Sequence, residues 1–183
     1  LEGLTLGYHD GGMTALHDIC RGADGRYLAA RYHDIVCYYY VNHETDENFR
    51  AFVRWSEKLL TIWPRGTGTA IWVDGLAARH PPGPQVRKAY AELAARRSDR
   101  QFARVSIIQA EGILGATVRS VLTGLNLLRR TTFPQYVSHD SLDGIRWLCA
   151  RLPVDPTRPS PEEIHSFFQQ TLSDYRKSEV TER

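Results

Sequence analysis

The chain has 183 residues, 42% of them hydrophobic and 24% charged, with a formal charge of +2. That is ample for one hydrophobic core and short for two, and the balance is ordinary for a globular protein. So small a charge implies no polyanionic partner by itself. No apolar run approaches the roughly 20 residues of a membrane span. Leu1-Glu2-Gly3 shows neither the basic nor the apolar stretch of a signal peptide, and the missing initiator Met leaves an earlier segment open. Cys20, Cys37 and Cys149 are odd in number and widely spaced. Without a C-x-x-C pair they read as reduced core thiols, which fits a cytoplasmic protein.

In chain order, Ala15 to Ile19 and Arg26 to Tyr32 flank Gly22-Ala23-Asp24-Gly25, whose Asp-Gly signals a hairpin. The hairpin spans about 14–32. Ile35-Val36-Cys37-Tyr38-Tyr39-Tyr40-Val41 is β-branched and aromatic without alternation, which predicts a central strand covered on both faces. Thr45 then reads as a helix N-cap, and Phe49, Phe52, Val53, Leu60 and Trp63 recur at helical spacing before Pro64-Arg65-Gly66. A strand Thr69–Asp74 follows, then a helix from Pro84 to Arg97 and a strand from Ala103 to Gln109. The helix from Ile113 to Leu128 carries a broad apolar face, widened by Ile113 and Leu127. It reads as buried, with an interface as the alternative. Phe133–Ser138 is a last short strand, after which Ser141 is expected to cap a helix with Ile145, Leu148, Cys149 and Leu152 inward.

The prolines of 153–161 predict a linker. Ser160-Pro161-Glu162-Glu163 then gives a cap, Pro at the first helical position and Glu at the third. The helix predicted over 162–177 has Ile164, Phe167, Phe168, Thr171, Leu172 and Tyr175 on one side. That face is too apolar for water, so it should dock on the domain or on a partner. Ile164, Phe167, Phe168 and Tyr175 are the candidate interaction surface. The tail, 178–183, is expected to lack structure. The alternation of strands and helices predicts an α/β domain over 1–152: a mixed β-sheet opened by an N-terminal hairpin, helices packed on it, and an extra C-terminal helix.

Three stretches carry a resemblance: Ala70-Ile71-Trp72-Val73-Asp74-Gly75, Ala103–Ile108 with the apolar helix after it, and Phe133 to Leu148 with its Asp143-Gly144-Ile145-Arg146-Trp147-Leu148. Together, over about Arg26 to Leu152, they resemble the STAS and anti-sigma-factor-antagonist-like family, in its divergent single-domain bacterial members. The resemblance implies a regulatory protein that binds partners rather than an enzyme. It also implies a phosphorylatable Ser or Thr in the turn after the strand ending at Asp74. No Ser or Thr occurs from Gly75 to Arg97. The scaffold of a switch is therefore present without its usual switch residue.

Among chemical constellations, Asp74 at a strand's carboxyl end, with Arg79, His80 and Gln85 in the following segment, is the candidate ligand site. Open α/β sheets bind ligands at that edge, and Pro84 leaves the amides of Val86 and Arg87 free to meet an anion. The simpler alternative is that Asp74 ties down its own turn. The His-Asp pairs His9-Asp10, His17-Asp18, His33-Asp34 and His139-Asp140 suggest a metal enzyme at first sight. Adjacent strand residues point to opposite faces, so they read as surface or turn residues and no metal or cofactor is called for. Arg79, Arg87, Lys88, Arg96, Arg97, Arg100 and Arg104 offer a nucleic-acid footprint, with a solvated helix face as the favoured reading. The leading expectation is a non-catalytic protein-interaction or scaffolding module with a protein partner or a second copy of itself. Binding or hydrolysis of a small anion at Asp74 and His80 stands second.

Overall fold

The computed structural model describes residues 17–21, 28–40, 46–63, 66–74, 83–96, 99–110, 112–128 and 132–181. Among them are six strands and five helices: β1 (His17–Arg21), β2 (Leu28–Tyr32), β3 (Ile35–Tyr40), α1 (Asp46–Ile62), β4 (Thr67–Val73), α2 (Pro84–Arg96), β5 (Gln101–Ile108), α3 (Gly112–Leu128), β6 (Gln135–Ser138), α4 (Ser141–Cys149) and α5 (Pro161–Thr181). The strands form one mixed sheet in the order β1-β2-β3-β4-β5-β6. β1, β2 and β3 pair antiparallel, and β3 through β6 pair parallel. The α/β class and the opening hairpin are as predicted. Thr45 and the turn Gly22–Gly25 lie outside the described residues.

Every residue of β3 is buried, because the sheet is covered on both faces. On one face Val36, Tyr38 and Tyr40 meet Phe49, Phe52, Trp55 and Leu59 of α1 and Leu93 of α2. On the other, Cys37, Tyr39, Ala70, Trp72, Val105 and Ile107 meet α4 and α5. The right-handed crossover rule accounts for this layering, since successive parallel steps in one direction place their helices on one face. α4 and α5 follow the last strand and are left the opposite face. There α4 lies so close to β5 that a Cβ on Gly144 would come 3.0 Å from Ile107 Cγ1.

Four expectations need correction. Ser141 is not the cap of α4: Asp140 holds that place, with its side chain accepting from Asp143 N at 2.8 Å. Ile113 is 88% exposed rather than part of a buried face. The connection over 153–160 is not a loose linker: Asp155 accepts from Thr157 N and Oγ1, and Arg158 reaches back to Asp34. The tail is helical through Thr181, since Ser178-Glu179-Val180-Thr181 contains no Gly or Pro to stop it.

The expected capping box is present. Ser160 N and Oγ both donate to Glu163 Oε2 at 2.8 Å, and Glu163 N donates back to Ser160 Oγ at 3.2 Å. Ser160→Ala should lower the unfolding free energy by about 1 kcal/mol, read from urea denaturation.

α5 is part of the core. Ile164, Phe168 and Tyr175 are buried beneath it, and Phe167 is partly buried with its ring stacked on Tyr32 at 4.6 Å. Tyr39 Oη donates to the Phe168 carbonyl at 2.7 Å. The four residues read from sequence as an interaction surface are therefore taken up by the chain's own sheet. The physical reason is that α1–α3 cover one face only, and this stripe closes the other.

Candidate functional site

The ladder β3-β4-β5 runs one residue past the strand ends. Asp74 N donates to Tyr40 O at 2.9 Å, and Gln109 N donates to Val73 O at 3.1 Å. Asp74 and Gln109 are thereby set at the carboxyl edge of the parallel strands, where open α/β sheets place their ligands. The Asp74 carboxylate is partly exposed and accepts from Arg176 Nη2 of α5 at 2.6 Å.

Beside this pair lies a cavity of about 880 Å³. β4 and β5 contribute Trp72 and Gln109 to its wall, and α5 contributes Gln169, Ser173, Arg176 and Lys177. Asp74 does not line it but holds Arg176, which does. Trp72 is 2% exposed, and its indole Nε1 has no hydrogen-bond partner among the described residues. An orphaned buried donor is uncommon in folded proteins. The remaining charges nearby are paired, since Lys177 Nζ lies 3.6 Å from Asp174 Oδ1, which also accepts from Gln170 Nε2 at 2.8 Å.

Of the predicted ligand residues, only Asp74 is placed at this edge with a charged partner. Arg79 and His80 lie outside the described residues, and Gln85 is exposed in the first turn of α2, away from the cavity wall. Sequence reasoning missed Arg176, Ser173, Gln109 and Trp72. A cation near the end of a helix carries no local sign of an aspartate 102 residues earlier.

A second polar cluster lies at the opposite, amino edge. His33 turns the β2–β3 hairpin with φ +54° and is buried. Its Nδ1 lies 3.1 Å from Asp34 Oδ1 and its Nε2 lies 3.2 Å from Thr157 Oγ1. Arg158 donates to both oxygens of Asp34, from Nε at 2.9 Å and from Nη2 at 2.6 Å. Burial pushes the Asp34 carboxyl up, but the bonds from Arg158 and His33 outweigh it and hold the group below its ordinary range. This pair is in a turn as predicted, yet it is buried rather than on the surface. The Asp34–Arg158 pair works as a clamp on the 153–160 segment.

Two of the other His-Asp pairs also have structural work. Asp18 accepts from Trp55 Nε1 at 3.2 Å, Asp140 caps α4, and His9-Asp10 lies outside the described residues. A Ser–His contact does occur, with Ser141 Oγ 2.8 Å from His165 Nε2, but Ser141 is buried and the contact joins α4 to α5. Burial holds His165 below the usual histidine range against the pull of Asp140. Burial likewise pushes the Cys149 thiol up to about 11, away from thiolate chemistry. Among the described residues, no group of three or more His, Cys, Asp or Glu could hold a metal ion, and no helix is long and apolar enough to cross a membrane.

Of the arginine-rich middle segment, Arg96 and Arg100 are exposed, whereas Arg104 is used internally. It donates to Gln135 Oε1 at 2.8 Å and sits over the Phe133 ring. Comparison with family models, with curated proteins and with solved structures finds no match to this chain.

Proposed function

We propose that the chain is a non-catalytic binding module of STAS-like type whose recognition face is the carboxyl edge of β4 and β5. The observation that carries this reading is the cavity beside the Asp74–Arg176 pair, walled by both the sheet and α5. Polar side chains converge there on a concave surface, the usual character of a ligand site. Among the described residues they include no nucleophile paired with a base and an orienting acid, and the arrangement suits recognition rather than turnover.

Ser173 is partly exposed on the cavity wall, so Ser173→Trp should obstruct the cavity with an uncharged ring without disturbing the core. Affinity capture with wild type and this variant, read by mass spectrometry of proteins and small molecules, tests the proposal. A ligand or partner held by wild type and lost by Ser173→Trp supports it. Equal retention by both places recognition elsewhere. A second reading keeps the same edge and makes the occupant a protein. It rests on Ile113, 88% exposed at the start of α3 and a few residues past Gln109. An exposed large apolar residue can anchor a protein partner. Ile113→Glu separates the readings, because it abolishes capture of a protein and leaves a small ligand bound.

A further inference from the structure

We propose that the carboxyl-edge cavity takes the phosphomonoester of a small polyol, with the phosphate replacing Asp74 as the acceptor of Arg176. The inference rests on the reading of that edge as the recognition face and adds the chemistry of its occupant.

Four observations lead to it. Arg176 already holds an oxyanion at 2.6 Å, and a single one of its N–H groups, on Nη2, is committed to that carboxylate. A guanidinium presents five donors in a planar fork, and a phosphate dianion can engage two of them where Asp74 engages one. Lys177 follows directly and is 73% exposed, so two cations stand on one turn at the mouth. Asp174 lies 3.6 Å from Lys177 Nζ, with both groups largely in solvent.

The rest of the wall selects the body of the ligand. Gln109, Gln169, Ser166 and Ser173 offer amides and hydroxyls that both donate and accept, which matches the hydroxyls of a polyol. Trp72 and Leu172, the large apolar residues of the lining, are both almost fully buried. A volume of about 880 Å³ far exceeds a bare phosphate and falls within the range of small-ligand sites.

The test uses the full chain, ¹⁵N-labelled, titrated with glycerol 3-phosphate, ribose 5-phosphate and glucose 6-phosphate. Glycerol, ribose, glucose and inorganic phosphate serve as controls. The Trp72 indole N–H resonance, assigned with Trp72→Phe, is the reporter. The expected result is a Trp72 shift with at least one phosphoester, bound at least about tenfold more tightly than its parent polyol. Arg176→Gln should weaken it by at least about tenfold, and Asp74→Asn should tighten it because the internal competitor is gone. Weakening by Asp74→Asn overturns the exchange. Inorganic phosphate binding as tightly as every ester overturns the polyol. A neutral polyol that moves Trp72 as strongly as its ester overturns the anion but keeps the carboxyl edge as the binding face. Silence of Trp72 toward the whole panel, while Ser173→Trp still abolishes capture of a native ligand, overturns the ligand class alone. Silence with capture unaffected removes both.

Discussion

Phe168→Ala should lower the unfolding free energy by about 3–5 kcal/mol, the range for removing a fully buried aromatic ring. Phe168 is 0% exposed and lies with Ile164, Leu172 and Tyr175 in the cluster formed by Tyr39, Trp72, Val105 and Ile107. A helix merely resting on a finished domain would lose far less, because its contacts would be replaced by water at little cost. Urea denaturation with circular dichroism distinguishes the two. One cooperative transition with a lower midpoint marks α5 as core, whereas separate loss of a small helical signal marks it as an appendage. Phe167→Ala serves as the internal comparison, since its ring is only partly buried against Tyr32. Its cost should be clearly smaller.

Asp34→Ala should cost about 3–5 kcal/mol, the range for breaking a buried ion pair from one side. The substitution leaves the Arg158 guanidinium, 10% exposed, and the buried His33 without their acceptor. Most of the loss is the penalty of a buried charge without a counterion, and only part is the lost attraction. The pH dependence has a definite sign. Because Arg158 and His33 hold the folded-state carboxyl of Asp34 below its ordinary value, its contribution is fully present above the unfolded carboxyl pKa of about 3.9. It is lost as pH falls through the folded value. Wild type and Asp34→Ala should therefore differ by a constant amount from about pH 5 upward through neutrality and converge in acid. Convergence toward alkaline pH instead would show that the pair is not what holds the 153–160 segment.

What could be read in advance follows the range over which the cause acts. The capping box at Ser160 needs four adjacent residues, so the sequence shows it directly. Burial of β3 on both faces was legible because a run such as Ile35–Tyr40 offers water no polar side. The Asp74 edge was legible as a strand end, since a hydrophobic run closing on Asp-Gly announces a turn. Ser141 was misread as a cap because the neighbouring Asp140 offers the same chemistry one residue earlier, and only the path out of β6 chooses between them.

The order of elements, the opening hairpin, the α/β class, and an apolar stripe on the last helix that had to be buried somewhere all follow from local sequence signals. Periodicity, caps and turn residues act over a few positions, and those are the features they encode. Where that stripe docks was decided by the tertiary structure, because the crossovers of β3 to β6 used one face of the sheet and left the other open. The same docking joins Arg158 to Asp34 across 124 residues and Arg176 to Asp74 across 102. Neither pairing has a local signature, since each depends on which edge of the sheet a distant helix happens to reach. The cavity between α5 and the strand ends exists only once that helix is in place.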